Sequence, residues 1–137
     1  MAKRSHLETT LKKATIELLL LKLLDEDDKY GYQLSGELKR RSGGQYRILE
    51  GSMYPILYRL TENGYVSFYE KKAGVRQTRV YYHLEDAGKR YLASLLASYH
   101  SYMQVIDFLL HSREGDCYEP EQTGEPLPQT DQTTDSV

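Results

Sequence analysis

Apolar positions recur with helical spacing from the start of the chain. Leu7, Leu11, Ala14, Leu18 and Leu21 follow at alternating steps of four and three, and Ile16, Leu19, Leu20, Leu23 and Leu24 widen the stripe until it nearly encircles the second half. This pattern predicts a helix buried on more than one side, by its own domain and by a partner. Ser5 with Glu8 three residues on fits a capping box at its start. Asp25-Glu26-Asp27-Asp28 ends the helix. It reads as the cap of a second helix rather than as a metal site, because negative charge is favourable at a helix N-terminus and no further ligand motif follows. The second helix is expected over about residues 29–42, with Leu34 and Leu38 inward, Lys39-Arg40-Arg41 in the last turn and Gly43-Gly44 as its stop. Tyr46-Arg47-Ile48 reads as a short strand. Ser52 is the expected N-cap of a third helix with Pro55 in its first turn. Met53, Ile56, Leu57 and Leu60 form its inner face, Pro55, Tyr58, Arg59 and Glu62 its outer one, Tyr54 lies on the flank, and Asn63-Gly64 end it.

The period then falls to two. Val66, Phe68, Val80, Tyr82 and Leu84 share a predicted buried face, Ser67, Tyr69, Lys71, Arg79, Tyr81 and His83 the other, and residues 72–77 with Gly74 form the loop. This is a β-hairpin whose tip and outer face carry Lys71, Lys72, Arg76 and Arg79 against one acid, Glu70. The last element is a long helix over about residues 86–111. Leu92, Leu95, Tyr99, Tyr102, Ile106 and Leu109 repeat at alternating three and four, and Leu96, Met103 and Leu110 add a second row. So long a two-rowed stripe predicts an intermolecular seam.

Charge is distributed unevenly along the chain. Of the 137 residues, 1–113 carry all 18 basic and 13 acidic side chains, whereas 114–137 carry seven acidic and no basic ones, so the net charge of −2 conceals a basic folded part. The segment 113–137 is rich in Thr, Gln, Pro, Asp and Glu and poor in large apolar residues, and it is expected to be a disordered acidic tail. The longest apolar run, Leu18 to Leu21, is far short of the roughly 18 residues of a membrane span. No secretory segment follows the basic start, so the chain is expected to be cytoplasmic with no membrane partner. The single cysteine, Cys117, excludes an internal disulfide framework and a Cys-rich zinc site. His6, His83, His100 and His111 have no metal-ligand spacing, and no phosphate loop or nucleophile elbow occurs. No enzymatic activity, metal or cofactor is therefore expected.

Helix, helix, strand-like turn, helix, basic hairpin and long helix, in that order, describe a mainly α chain. It is read as a winged helix-turn-helix over 5–85, a C-terminal dimerisation helix over 86–112 and the tail beyond. In such a fold the third helix enters the DNA major groove and the hairpin reaches backbone or minor groove. Particular residues carry a resemblance. Tyr30-Gly31-Tyr32-Gln33-Leu34, Leu49-Glu50-Gly51-Ser52-Met53-Tyr54-Pro55-Ile56-Leu57-Tyr58-Arg59-Leu60, Asn63-Gly64-Tyr65-Val66 and Tyr81-Tyr82-His83-Leu84-Glu85-Asp86-Ala87-Gly88 resemble the PadR-like transcriptional regulators over about residues 12–112.

The resemblance implies a dimeric bacterial regulator, usually a repressor, of the short subfamily whose C-terminal helix joins the partner's N-terminal helix. The dimer interface is then expected to hold Leu11, Leu18, Leu92, Leu95, Tyr99, Tyr102, Ile106 and Leu109. Two positions depart from the family pattern. Glu85 stands where a capping Thr is common, and Tyr102 stands where some members have a Trp lining a central drug-binding pore. Tyr99, Tyr102 and Met103 either line a cavity for a small hydrophobic or aromatic effector or simply fill the interface. The expected DNA contacts are Ser52, Tyr54, Tyr58 and Arg59 from the third helix and Lys71, Lys72, Arg76 and Arg79 from the hairpin. The expected function is a homodimeric repressor on a pseudo-palindromic operator in double-stranded DNA, released by a small molecule or another signal. The alternative is a winged-helix module for protein–protein contact.

Overall fold

The computed structural model describes residues 5–120. The expected tail falls largely outside the described residues. The elements run α1 (His6–Glu26), β1 (Lys29–Tyr30), α2 (Gly31–Arg41), α3 (Glu50–Glu62), β2 (Val66–Ala73), β3 (Gln77–Leu84) and α4 (Asp86–His111). The three strands form one antiparallel sheet in the order β1-β3-β2. By its internal contacts the chain divides into two compact units, Met1–Leu95 and Leu96–Val137.

The core of the first unit is the apolar stripe of α1 closed by the inner faces of its neighbours. Ile16, Leu20, Leu21, Leu23 and Leu24 of α1, Leu34 and Leu38 of α2, and Met53, Leu57 and Leu60 of α3 are buried. Val66, Leu84 and Leu92 complete it from β2, β3 and the start of α4. The Ser5 side chain accepts the Glu8 N–H at 3.2 Å, which is the capping expected of it. At the other end of α1 the work is done by a buried cation. Lys29 Nζ donates to the carbonyls of Leu23 at 2.8 Å and Asp27 at 3.3 Å, satisfying acceptors that a helix C-terminus leaves open.

Five local expectations are corrected. Residues 29 and 30 are a strand, paired with Tyr82 and Tyr81, so α2 starts at Gly31. Its N-cap is Tyr30, whose N–H is taken by Gln33 Oε1 at 3.2 Å, and not one of the four carboxylates. Tyr46-Arg47-Ile48 is irregular chain, held by the Tyr46 hydroxyl, which lies 2.8 Å from Thr15 Oγ1 and donates to the Lys12 carbonyl at 2.9 Å. Helix α3 begins at Glu50 with Leu49 as N-cap, because the Leu49 carbonyl already accepts from Ser52 and Met53, so Ser52 lies inside the first turn. Finally, Phe68 and Val80 are 59% and 39% exposed, because the hairpin runs past the edge of the core that Val66 and Leu84 reach.

Two glycines permit close approach. A Cβ on Gly31 would collide with the ring and hydroxyl of Tyr54, and one on Gly88 would collide with the Tyr65 carbonyl and the Leu84 side chain. The first contact seats α3 on α2, and the second seats the start of α4 on the root of the hairpin. Beyond Leu95, α4 continues to His111. In the second unit Tyr118 returns to it, edge-on to Phe108 at 5.5 Å, its hydroxyl donating to Gln104 Oε1 at 3.3 Å. Among the described residues no helix is long and apolar enough to cross a membrane.

Candidate nucleic-acid interface

At about 100° per residue, burial of Met53, Leu57 and Leu60 forces Gly51, Pro55, Tyr58, Arg59 and Glu62 onto the outer ridge of α3. All five are exposed. Ser52 and Ile56 look to the α1 flank, Tyr54 and Tyr58 to the hairpin flank. Tyr58 is 68% exposed. A hydrogen bond to Glu62 holds its phenol pKa above the ordinary value. Arg59 is already engaged. Its guanidinium donates to Glu17 Oε1 of α1 at 3.2 Å, and the other oxygen of that carboxylate accepts the Tyr91 hydroxyl at 3.3 Å. An Arg59 contact to a guanine or phosphate therefore requires exchange of one charge-assisted bond for another. Tyr54 is 42% exposed, its ring braced on Gly31.

The basic hairpin is less uniform than its sequence. Register pairs Lys71 with Arg79 across the strands, and Lys72 with Thr78. Lys71 and Arg79 thus share the face of Tyr69 and Tyr81, while Lys72 lies on the face of Phe68 and Val80 and Arg76 sits in the turn beside Gly74. Two like charges directly opposite would repel. Here each lies over a ring: Lys71 Nζ is 5.6 Å from the centroid of Tyr81 and the Arg79 guanidinium 4.5 Å from that of Tyr30. Tyr81 in turn stacks on Tyr69 at 5.6 Å and meets Tyr30 edge-on at 5.4 Å.

The far end of the same face is tied down by Asp28. Its carboxylate accepts the Tyr69 hydroxyl at 2.8 Å and faces His83 Nδ1 at 2.7 Å. Burial would raise the Asp28 pKa, but the bonds from His83 and Tyr69 hold it below the usual carboxylate value. The Asp28 staple joins the segment before β1 to both strands of the hairpin.

Between α3 and the hairpin runs a groove of about 470 Å³ walled by Tyr54, Tyr58, Phe68, Val80 and Tyr82. Strand periodicity assigns Phe68, Val80 and Tyr82 to the core. Only the point at which the hairpin outruns its support places them beside the outer ridge. The residues expected at a dimer seam fall into two groups. Leu92 is buried within its own unit, and Leu18 and Leu95 are half-buried. Leu11, Tyr99, Tyr102, Ile106 and Leu109 are 44%, 38%, 70%, 37% and 62% exposed. Met103, expected beside Tyr99 and Tyr102, is half-buried.

Comparison with known proteins agrees with this fold. The profile of the Transcriptional regulator PadR-like family matches residues 20–94. A PadR family transcriptional regulator from Eggerthella lenta is similar in structure, with TM-score 0.69 and 28% identity, over 77% of this chain and 89% of that one. A Streptococcus mutans protein of known structure is 33% identical with TM-score 0.63, over 79% and 94% of the two chains. A transcriptional regulator from Clostridium thermocellum is 26% identical with TM-score 0.67, over 72% and 95%.

Proposed function

The chain belongs to the PadR-like family of transcriptional regulators, and from that premise we propose that it is a homodimeric repressor that binds a pseudo-palindromic DNA operator in the cytoplasm and is released by a small hydrophobic or aromatic effector. The observation that carries the DNA reading is the pairing of an exposed helical ridge, centred on Tyr58, with a hairpin whose four cations point to both faces and the turn. A helix of about 10–12 Å diameter fits the roughly 12 Å major groove. Helix α3 supplies base contacts through Tyr54, Tyr58 and Arg59. Ser52, near its N-terminus, is placed for a phosphate oxygen. Lys71, Lys72, Arg76 and Arg79 neutralise phosphates beside the wing, in residues 5–85. Two copies related by a two-fold axis, joined through residues 86–112, place their α3 helices on half-sites about 34 Å apart. No catalytic role is assigned to the chain.

The division of labour is tested by two variants on one experiment, binding to its own upstream DNA and to random duplex across salt concentrations. Lys72→Ala with Arg76→Ala should weaken both equally and make the log–log salt slope shallower by about one unit per lost phosphate contact. Tyr58→Ala should leave the slope unchanged and reduce the preference for the upstream site by about 1–3 kcal/mol. Loss of selectivity in the hairpin variant alone would reverse the roles. A flat slope for the unaltered protein would instead favour the protein-contact reading.

A further inference from the structure

A recognition helix in a major groove lies between two walls of phosphate, one on each strand. The hairpin stands on the Tyr54–Tyr58 flank of α3 and can meet one wall. On the opposite flank, where α1 and the irregular chain before α3 come together, lies a cavity of about 450 Å³. Its rim carries Lys12 and Lys13 of α1, Arg47 of the preceding chain and Ser52 of α3, over a floor that includes Ile16 and Ile56. Among the described residues none of the three cations is in an ion pair, and no carboxylate lines the cavity. Arg47 is steered only by the Gly44 carbonyl, 3.2 Å from Nε, and Lys12 only by the Tyr46 ring, 6.0 Å from Nζ to centroid. Other basic side chains of this unit, Arg40, Arg41 and Arg59, do hold carboxylates. Three uncompensated cations around one hollow represent self-repulsion that an anion relieves.

Leu49 and Ser52 of this cavity also bracket the start of α3, where Leu49, as N-cap, has no side-chain acceptor to offer the N–H groups of Glu50 and Gly51. The α1 helix keeps the hollow free of its own apolar stripe. At 100° per residue, Lys12, Lys13 and Ile16 lie opposite Leu7, Leu11 and Leu18, so a partner seated on that stripe does not cover the cations.

We propose that Lys12, Lys13 and Arg47 form a second backbone clamp, which grips the phosphates of the DNA strand on the side of α3 away from the wing. This rests on the DNA-binding reading above and adds its other half: α3 is held between two cationic edges, one on the hairpin and one on α1 and the α2–α3 connection. The two edges fix the depth and tilt of the helix in the groove, which the hairpin alone leaves free to rock.

The test uses the full chain with a 30-base-pair duplex from its own upstream region and a random duplex of equal length. Lys12→Ala, Lys13→Ala and Arg47→Ala together should make the salt slope shallower by about two to three units on both duplexes, additively with Lys72→Ala/Arg76→Ala. Ethylation interference should map two sets of sensitive phosphates on opposite strands, of which the triple variant loses one and the hairpin variant the other. Arg47→Lys on the unaltered background keeps the charge and should keep the slope. If the triple variant retains both the slope and both phosphate sets while the hairpin variant loses its own, the clamp is wrong and the DNA-binding reading stands. If the unaltered protein has no salt-dependent affinity for either duplex, that reading fails and the clamp with it.

Discussion

Tyr99→Asp combined with Ile106→Asp should yield a folded monomer that no longer holds its operator. In the isolated protomer Tyr99 and Ile106 are 38% and 37% exposed, so a carboxylate at either position can still reach water there. Their neighbours on α4, Tyr102, Leu109 and Leu110, are 70%, 62% and 76% exposed, and Leu7 and Leu11 on α1 are open as well. Surface of that kind, repeated at heptad spacing, is what a partner helix covers. Two carboxylates on the seam become buried and unpaired only if the dimer forms, at a cost of several kcal/mol, or roughly a thousand-fold in the dimer constant. Operator affinity then falls further, because each half-site must be bound by a separate body rather than by one chelating dimer. Sedimentation velocity, far-ultraviolet circular dichroism and operator titration together read the result. A stable dimer carrying both substitutions would place the seam on another face.

Gly88→Ala should be the most damaging single methyl added to the fold. The new Cβ would meet the backbone carbonyl of Tyr65 and the side chain of Leu84, itself buried in the core. Neither can step aside without moving the hairpin root or the start of α4. Overpacking against backbone costs about 3 kcal/mol. For a domain of this size that lowers the melting temperature by on the order of 15 °C. Gly31→Ala provides the contrast, since the atoms it meets are the far end of the Tyr54 side chain, which can swing. It should melt within about 5 °C of the parent, on a cost near 1 kcal/mol, yet weaken DNA binding by displacing Tyr54. Calorimetry on the two variants separates the cases. A Gly88→Ala melt equal to that of Gly31→Ala would mean that the α4 start yields freely.

The elements legible from sequence were those with many repeats of one period. Helix α1, with its Ser5 cap, and α4 announce themselves by stripes several turns long, and the hairpin by its alternation. What escaped was decided by distant partners. A two-residue strand at Lys29–Tyr30 has no period, and exists because Tyr81 and Tyr82 stand ready to pair with it. Ser52 has the chemistry of a cap, but the Leu49 carbonyl starts the helix one turn earlier. Phe68 alternates as a core residue should, and nothing local says that the core ends two positions before it. In the interface, the outward direction of Tyr58 follows from helical spacing. The engagement of Arg59 by Glu17, 42 residues away, does not. Nor does periodicity place Lys12 and Lys13 beside Arg47, because they meet only once α1 packs against the chain leading into α3.

Pro55 sits inside α3, not at its start, and has no N–H to give. The carbonyl of Gly51, one turn earlier, therefore lacks its regular helical donor, and Gly51 has open space where a side chain would begin. The first turns of α3 are thus held by one main-chain bond fewer than their length implies. Pro55→Ala is the one alanine substitution on the outer ridge that would restore a helix bond rather than remove a side-chain contact.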